Sequence, residues 1–147
     1  MKEILTTLFE KDLNRLIVEV ESYTEESDLW KKAPGINNSA GNLALHLIGN
    51  LQHFIGAVLG DTGYVRNREA EFSDRDVPVT KILQDIQETI VVIADALGKL
   101  SDQDLNGTYP LEVFGKPMTT LHFLVHLEGH LNYHLGQVNY HRRLLTA

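Results

Sequence analysis

Apolar residues recur along this chain with the 3.6-residue period of an amphipathic helix in four separate places. In the first, Ile4, Leu5, Leu8, Leu13, Leu16, Ile17 and Val20 form one stripe, with Lys2, Glu3, Glu10, Lys11 and Glu19 around it. The pattern decays in "TEESD", and Pro34 and Gly35 punctuate the loop "KKAPGINN". A second helix is predicted from Asn38 or Ser39, either of which can accept the free N–H groups of a first turn. It runs to about Leu59, stops at Gly60, and buries Leu43, Leu47, Leu51, Phe54, Ile55 and Val58. A third opens after Pro78, with Thr80 as its cap, and carries Ile82, Ile86, Ile90, Ile93 and Leu97. The last starts near Thr119 or Thr120 and continues to about Leu145.

Two stretches fall outside this pattern. Residues 61–78, "DTGYVRNREAEFSDRDVP", form a long, highly charged connection. Connections of that length in a compact domain tend to be functional or disordered. "NGTYPLEVFGKPMTT" has turn signals at Asn106–Gly107 and Gly115–Lys116 around a short alternating stretch, which predicts a small hairpin or extended excursion. The expected architecture is all-α: an up-down four-helix bundle with a long charged loop between helices 2 and 3 and a short excursion before helix 4. At 147 residues the chain reads as one domain, residues 1–147.

The chemistry is concentrated in "HLEGHLNYHLGQVNYH", which places four histidines in residues 126–141. Residues four apart on a helix lie one above the other, so His130 and His134 can reach one ion from one helix. His126 and His122 continue the row. Each four-residue step turns about 40° beyond a full turn, however, so the four cannot share one centre. On the second helix His46, Asn50 and His53 make a polar row at the border of the apolar stripe. Such a row is costly to bury unless its members are bonded to something, and a metal held by His46, His130 and His134 would satisfy three residues together. Spacing alone leaves two other readings open, a titrating solvent face and a set of hydrogen-bonded core residues.

Composition narrows the function classes. The formal charge of −7 disfavours a phosphate-tracking surface, because nucleic-acid affinity comes largely from Lys and Arg neutralising phosphates. There is no cysteine, so any metal site must use His, Asp, Glu and water, and any thiol must come from outside. No apolar run approaches the roughly 20 residues that span a bilayer. Charges recur every few residues in "MKEILTTLFEKDLNRL", which does not suit a secretory signal, so a cytoplasmic location is expected.

At this point the residues resemble a known family. "NSAGNLALHLIGNLQHFIGAVLG" resembles the second-helix motif of the DinB-like metal-binding bundle proteins, and "LHFLVHLEGHLNYHLGQVNYHRRLL" resembles their last helix, with paired histidines just ahead of a Gly-Gln. The charged stretch "RNREAEF" is similar to that of one subfamily. The resemblance spans roughly residues 5 to 145. It implies a four-helix bundle that binds a divalent metal through His46 in "LHLIGN" and His130 and His134 in "HLNYHLGQ", with His53, His122, His126 and His141 outside the triad. Relatives in that superfamily include thiol-dependent transferases and isomerases that use low-molecular-weight thiols such as mycothiol or bacillithiol.

Three histidines leave coordination positions open, which is the pattern of a catalytic metal. Zn²⁺, Ni²⁺ and Fe²⁺ all accept imidazole. Asn50 and Gln137 are within reach as groups that orient the ligands or a substrate. Glu128 points away from the His130/His134 direction and is expected to be solvated. Tyr133 reads as a packing residue with a wet hydroxyl, and Trp30 as a core anchor. Arg66 and Arg68 either line the cleft mouth or pair with Glu69, Glu71 and Asp74 to order their loop. The leading expectation is a metal-dependent enzyme that activates a thiol or water for transfer or hydrolysis on a small molecule. The alternative is a non-catalytic metal-binding or ligand-sensing bundle. A homodimer through exposed apolar residues of the first or third helix is also expected.

Overall fold

A computed structural model describes residues 1–146. Helix α1 spans Lys2–Glu21, and a single 3₁₀ turn follows at Glu26–Trp30. Helix α2, Ala40–Leu51, continues through a widened π turn at Gln52–Ala57 and a last turn at Val58–Gly60. Short helix α3, Arg68–Ser73, interrupts the charged connection, and α4 covers Val79–Gly98. A second short helix, α5, occupies Asp102–Asn106, and α6 runs over Thr120–Leu145.

The start signals act through their side chains. Ser39 caps α2 by accepting from the Asn42 N–H, and Thr119 caps α6 by accepting from His122 N–H at 3.1 Å. Thr80 does not cap α4. That helix begins at Val79 behind Pro78, whose preset φ of −55° starts the turn without a side-chain bond. The stripe of α1 is rotated from the expected one: Ile4 is exposed, while Phe9 is fully buried with Leu13 and Leu16. Phe9 lies four residues from both Leu5 and Leu13 and so shares their face, whereas Ile4 does not.

The four long helices form the bundle. Lys2 Nζ reaches the carbonyls of Gly98 and Leu100, so the start of α1 lies at the end of α4. Asp12 lies beside Asn132, and Glu19 beside Asn139 and Arg142, so α1 and α6 run parallel. Gln52 bonds Thr89, and Cβ atoms built on Gly56 and Gly60 would meet Val92 and Ala96, so α2 and α4 are also parallel. Helix direction therefore alternates across the α1/α4 and α2/α6 pairs, while the two middle helices share a direction. Two parallel neighbours need a crossover along the bundle, and the charged connection 61–78 supplies it. The second connection contains less strand than its alternation suggests. It pairs through one isolated bridge, Thr108 to Thr119, and is pinned by Tyr109, which stacks on Phe123 and donates to the Phe54 carbonyl at 2.7 Å.

Trp30 packs flat against the α2 backbone, where a Cβ on Gly41 would lie 2.8 Å from its ring. Segment Ala40–Gly60 is long and apolar enough to pass as a membrane span by composition. Within the bundle its apolar face packs against α4 and α6: Leu47, Leu51 and Ile55 are fully buried.

One buried feature runs against expectation. Glu128 is not solvated: it is 9% exposed and faces α1, where Asp12 is 1% exposed. Asn132 Nδ2 donates to both, at 2.8 Å to Asp12 Oδ2 and 2.8 Å to Glu128 Oε1. Two adjacent carboxyls in one buried pocket share a proton rather than both ionising. Burial and the Asp12 charge push Glu128 up to about 8. Burial also opposes ionisation of Asp12, but hydrogen bonds from Glu128 and Asn132, with nearby Lys11, hold it below its ordinary value.

A pH dependence of stability follows. Between its ordinary value of 4.5 and about 8, Glu128 keeps in the folded state a proton that the unfolded chain has lost. Stability therefore falls as pH rises through that range. Buried histidines with lowered pKa, His130 and His134 among them, act in the opposite sense. Their effect ends near the unfolded-state value of about 6.5. Thermal melts between pH 6.5 and 8 should thus show decreasing stability, by at most about 1.4 kcal/mol per pH unit. Glu128→Gln, which keeps a donor toward Asp12, should flatten that slope; an unchanged slope would remove the shared proton from this account.

Candidate metal centre

His46 projects from α2, and His130 and His134 from one face of α6, into the seam between the two helices. One ring nitrogen from each lies within 4.8 Å of the others. Ring centroids are 5.0 Å apart for His46–His130, 5.2 Å for His46–His134 and 4.6 Å for His130–His134. His46 is buried and the other two are half-buried.

The second nitrogen of two rings is committed elsewhere, which sets the tautomers. His46 Nδ1 donates to Glu71 Oε1 at 3.0 Å, and His134 Nδ1 donates to Gln137 Oε1 at 2.7 Å. Each bond leaves a bare Nε2 as the ligating atom. His46 Nε2 and His130 Nε2 face each other at 3.2 Å. Only one shared proton, or a cation between them, prevents their lone pairs from opposing. His130 Nδ1 is buried without a partner. Burial, then the neighbouring His134, His46, His126 and Arg66, hold the pKa of His130 down at about 4. Burial lowers His134 as well, against the Gln137 bond. Both imidazoles are therefore neutral at pH 7, the state a metal requires. Three imidazole nitrogens converging on one point fit a divalent transition ion.

Glu71 is the site residue that sequence reasoning did not single out as a partner of the histidines. It rides on α3, is 6% exposed, and reaches across the connection to His46. Burial alone would push its pKa up; hydrogen bonds from His46 and Arg66, with the Arg66 charge, more than reverse this and hold it below the ordinary value. Arg66 grips the carboxylate at both oxygens, Nε to Oε2 at 2.8 Å and a terminal nitrogen to Oε1 at 2.9 Å. Of the two expectations for Arg66, pairing with Glu71 is the one realised. Arg68 lies over the Phe72 ring instead, 5.2 Å from its centroid. Gly49 makes room: a Cβ there would lie 2.0 Å from Glu71 Oε2. Asn42 fastens α3 to α2 by donating to the Glu71 and Asp74 carbonyls at 3.0 and 2.9 Å. The available signal was "NREAEF", in which Asn67 caps a helix by accepting from the Ala70 N–H.

The remaining candidates separate clearly. Gln137 is placed as expected, against His134. Asn50 is buried with its Oδ1 unpartnered and bonds none of the three histidines. His53 is half-exposed against Phe54. The π turn begins at Gln52, so the register that aligned His53 with His46 ends there. His122 and His126 are exposed, with His126 edge-on to Phe114, and His141 lies two turns beyond His134. Tyr133 is 66% exposed.

A helical bundle whose interior seam holds three convergent histidines defines a class of metal-site proteins, and the comparisons supply its family. The DinB superfamily profile matches residues 8–138. This chain belongs to the DinB superfamily. The crystal structure of a DinB-like protein from Bacillus cereus ATCC 10987 has the same fold, with a TM-score of 0.67 and 23% sequence identity over 90% of this chain and 84% of that one. No curated protein matches significantly.

Removing the Glu71 carboxylate charge should weaken metal binding. Loss of a ligand's outer partner typically lowers metal affinity by about 10–100-fold. Glu71→Gln should show a loss of that order in competition with a chromophoric chelator. Gly49→Ala, which keeps Glu71 but fills its slot, should show a similar loss. Wild-type affinity in both variants would make Glu71 a purely structural ion-pair partner of Arg66.

Proposed function

We propose that this protein is a divalent-metal-dependent enzyme that uses His46, His130 and His134 to activate a thiol or a water for transfer or hydrolysis on a small molecule. The observation that carries the reading is the convergence of three imidazoles with no fourth protein ligand among the described residues. Structural ions tend to be fully enclosed by four protein ligands, whereas three leave a position for an exchangeable partner. A bound Zn²⁺, Ni²⁺ or Fe²⁺ would supply Lewis acidity, lowering the pKa of a water or thiol that reaches it.

The protein's own residues hold the rest in place. Glu71 and Gln137 fix the ring orientations and tautomers of His46 and His134. Arg66 keeps Glu71 ionised, so His46 retains its partner across the neutral pH range. Phe72, with its ring centroid 4.8 Å from that of His46, walls one side with apolar surface. Neutral ligation leaves the full charge of the ion uncompensated and favours an anionic guest, which a thiolate or hydroxide would be. The absence of cysteine means that a thiol would be a second substrate.

A screen of low-molecular-weight thiols against electrophiles, run on metal-loaded protein beside an ester panel, tests the proposal. Turnover with a thiol that disappears on chelation and in His130→Ala is expected under transferase chemistry. Ester hydrolysis without thiol dependence would assign water activation. No turnover in either panel, with chelation sharply lowering thermal stability, would replace the enzyme reading with that of a metal-stabilised or ligand-sensing bundle.

A further inference from the structure

A cavity of about 280 Å³ lies beside the metal centre, between the loop preceding α2 and the C-terminal half of α6. Asn37 and Asn38 approach from the loop; Tyr133, His134, Gln137 and His141 line the helix side. Leu43 adds apolar surface one turn before His46. His134 and Gln137 therefore belong to both the metal centre and this cavity.

Its polar groups are largely unspent. Gln137 Oε1 is occupied by His134, which leaves the Gln137 N–H groups free. His141 Nδ1 is buried and has no partner. The carboxamides of Asn37 and Asn38 bond no described residue. Buried polar groups are normally paired, so the bare His141 Nδ1 is an exception, while the half-buried Asn38 and Gln137 and the exposed Asn37 stand free to bond a ligand beside it.

The cavity also carries no Lys, Arg, Asp or Glu among its lining residues. Burial lowers the pKa of His141, which keeps that imidazole uncharged as well. Away from the ion that His134 would hold, a charged ligand would lose hydration against this lining without gaining a counter-charge. Carboxamide and imidazole groups each present donors and acceptors together, so the complementary ligand has both.

We infer that this cavity binds an uncharged small molecule carrying amide or hydroxyl groups, held by Gln137, Asn37, Asn38 and His141 against the His134 side of the metal centre. Its part in a reaction rests on the enzyme reading above; the binding itself does not. The shared Gln137 gives the ligand direct contact with the residue that orients His134.

N-acetylserinamide and N-acetylserine, which differ in carrying a neutral carboxamide or a carboxylate at one terminus, provide the test. Each is titrated into the full-length protein freed of metal, so that the carboxylate cannot ligate an ion, while the side-chain amide NMR signals of Asn37, Asn38 and Gln137 are followed. Saturable shifts of these signals by the amide, at least tenfold weaker for the carboxylate, are expected. His141→Phe, with its fold checked by the backbone spectrum, should weaken amide binding about tenfold. Equal or tighter binding of N-acetylserine would overturn the neutral ligand class. An absence of shifts with both probes, or full affinity in His141→Phe, would overturn the site. The same titration on metal-free His130→Ala protein separates the two proposals: persistent amide binding supports the cavity whatever becomes of the metal reading, and loss of binding there alone would contradict its independence.

Discussion

The hydrogen bond from His46 Nδ1 to Glu71 Oε1 joins two parts of the chain with little else in common, an apolar helix and a charged connection. A buried carboxylate is expensive unless it is paired and bonded. Here Arg66 supplies the charge at both oxygens, His46 supplies a donor, and Gly49 supplies the space. Remove any of these and Glu71 has no reason to be inside. With them, the His46 ring is held in one tautomer with its Nε2 directed at α6. The neighbouring imidazoles then inherit a defined geometry rather than a loose polar seam.

That contact also explains the helix directions. Because α2 and α4 run parallel, the chain must return along the bundle between them, and the return passes over the N-terminal half of α2. There α3 folds and Asn42 clips it in place. An alternating arrangement would have needed only a short turn after Gly60, with no segment to carry Glu71 to His46. The topology and the histidine cluster that could hold a metal are thus two consequences of one connection.

Much of this was legible in the sequence, because helical periodicity and i, i+4 spacing are local properties. The long helices, the Ser39 and Thr119 caps and the His130/His134 pair follow from such patterns, while joining His46 to that pair rested on the family resemblance. What was not legible depends on contacts between distant segments. Nothing around Glu128 signals that Asp12, more than a hundred residues away, lies opposite it. Glu71 looks like one more acid in a charged run until Gly49 is seen to leave a slot for it. His53 was aligned with His46 by assuming a regular helix, and the π turn at Gln52 breaks that register. The parallel pairing of α2 and α4 likewise has no local signature, since helices of either direction bury the same stripe.

Elemental analysis of tag-free protein, beside His46→Ala and His130→Ala prepared identically, tests the central claim most directly. A near-stoichiometric divalent transition metal in the wild type, lost in both variants, is the result predicted by a single site shared between α2 and α6. Wild-type protein that neither carries nor takes up such a metal would contradict it, and the histidines would then be a hydrogen-bonded seam between two helices.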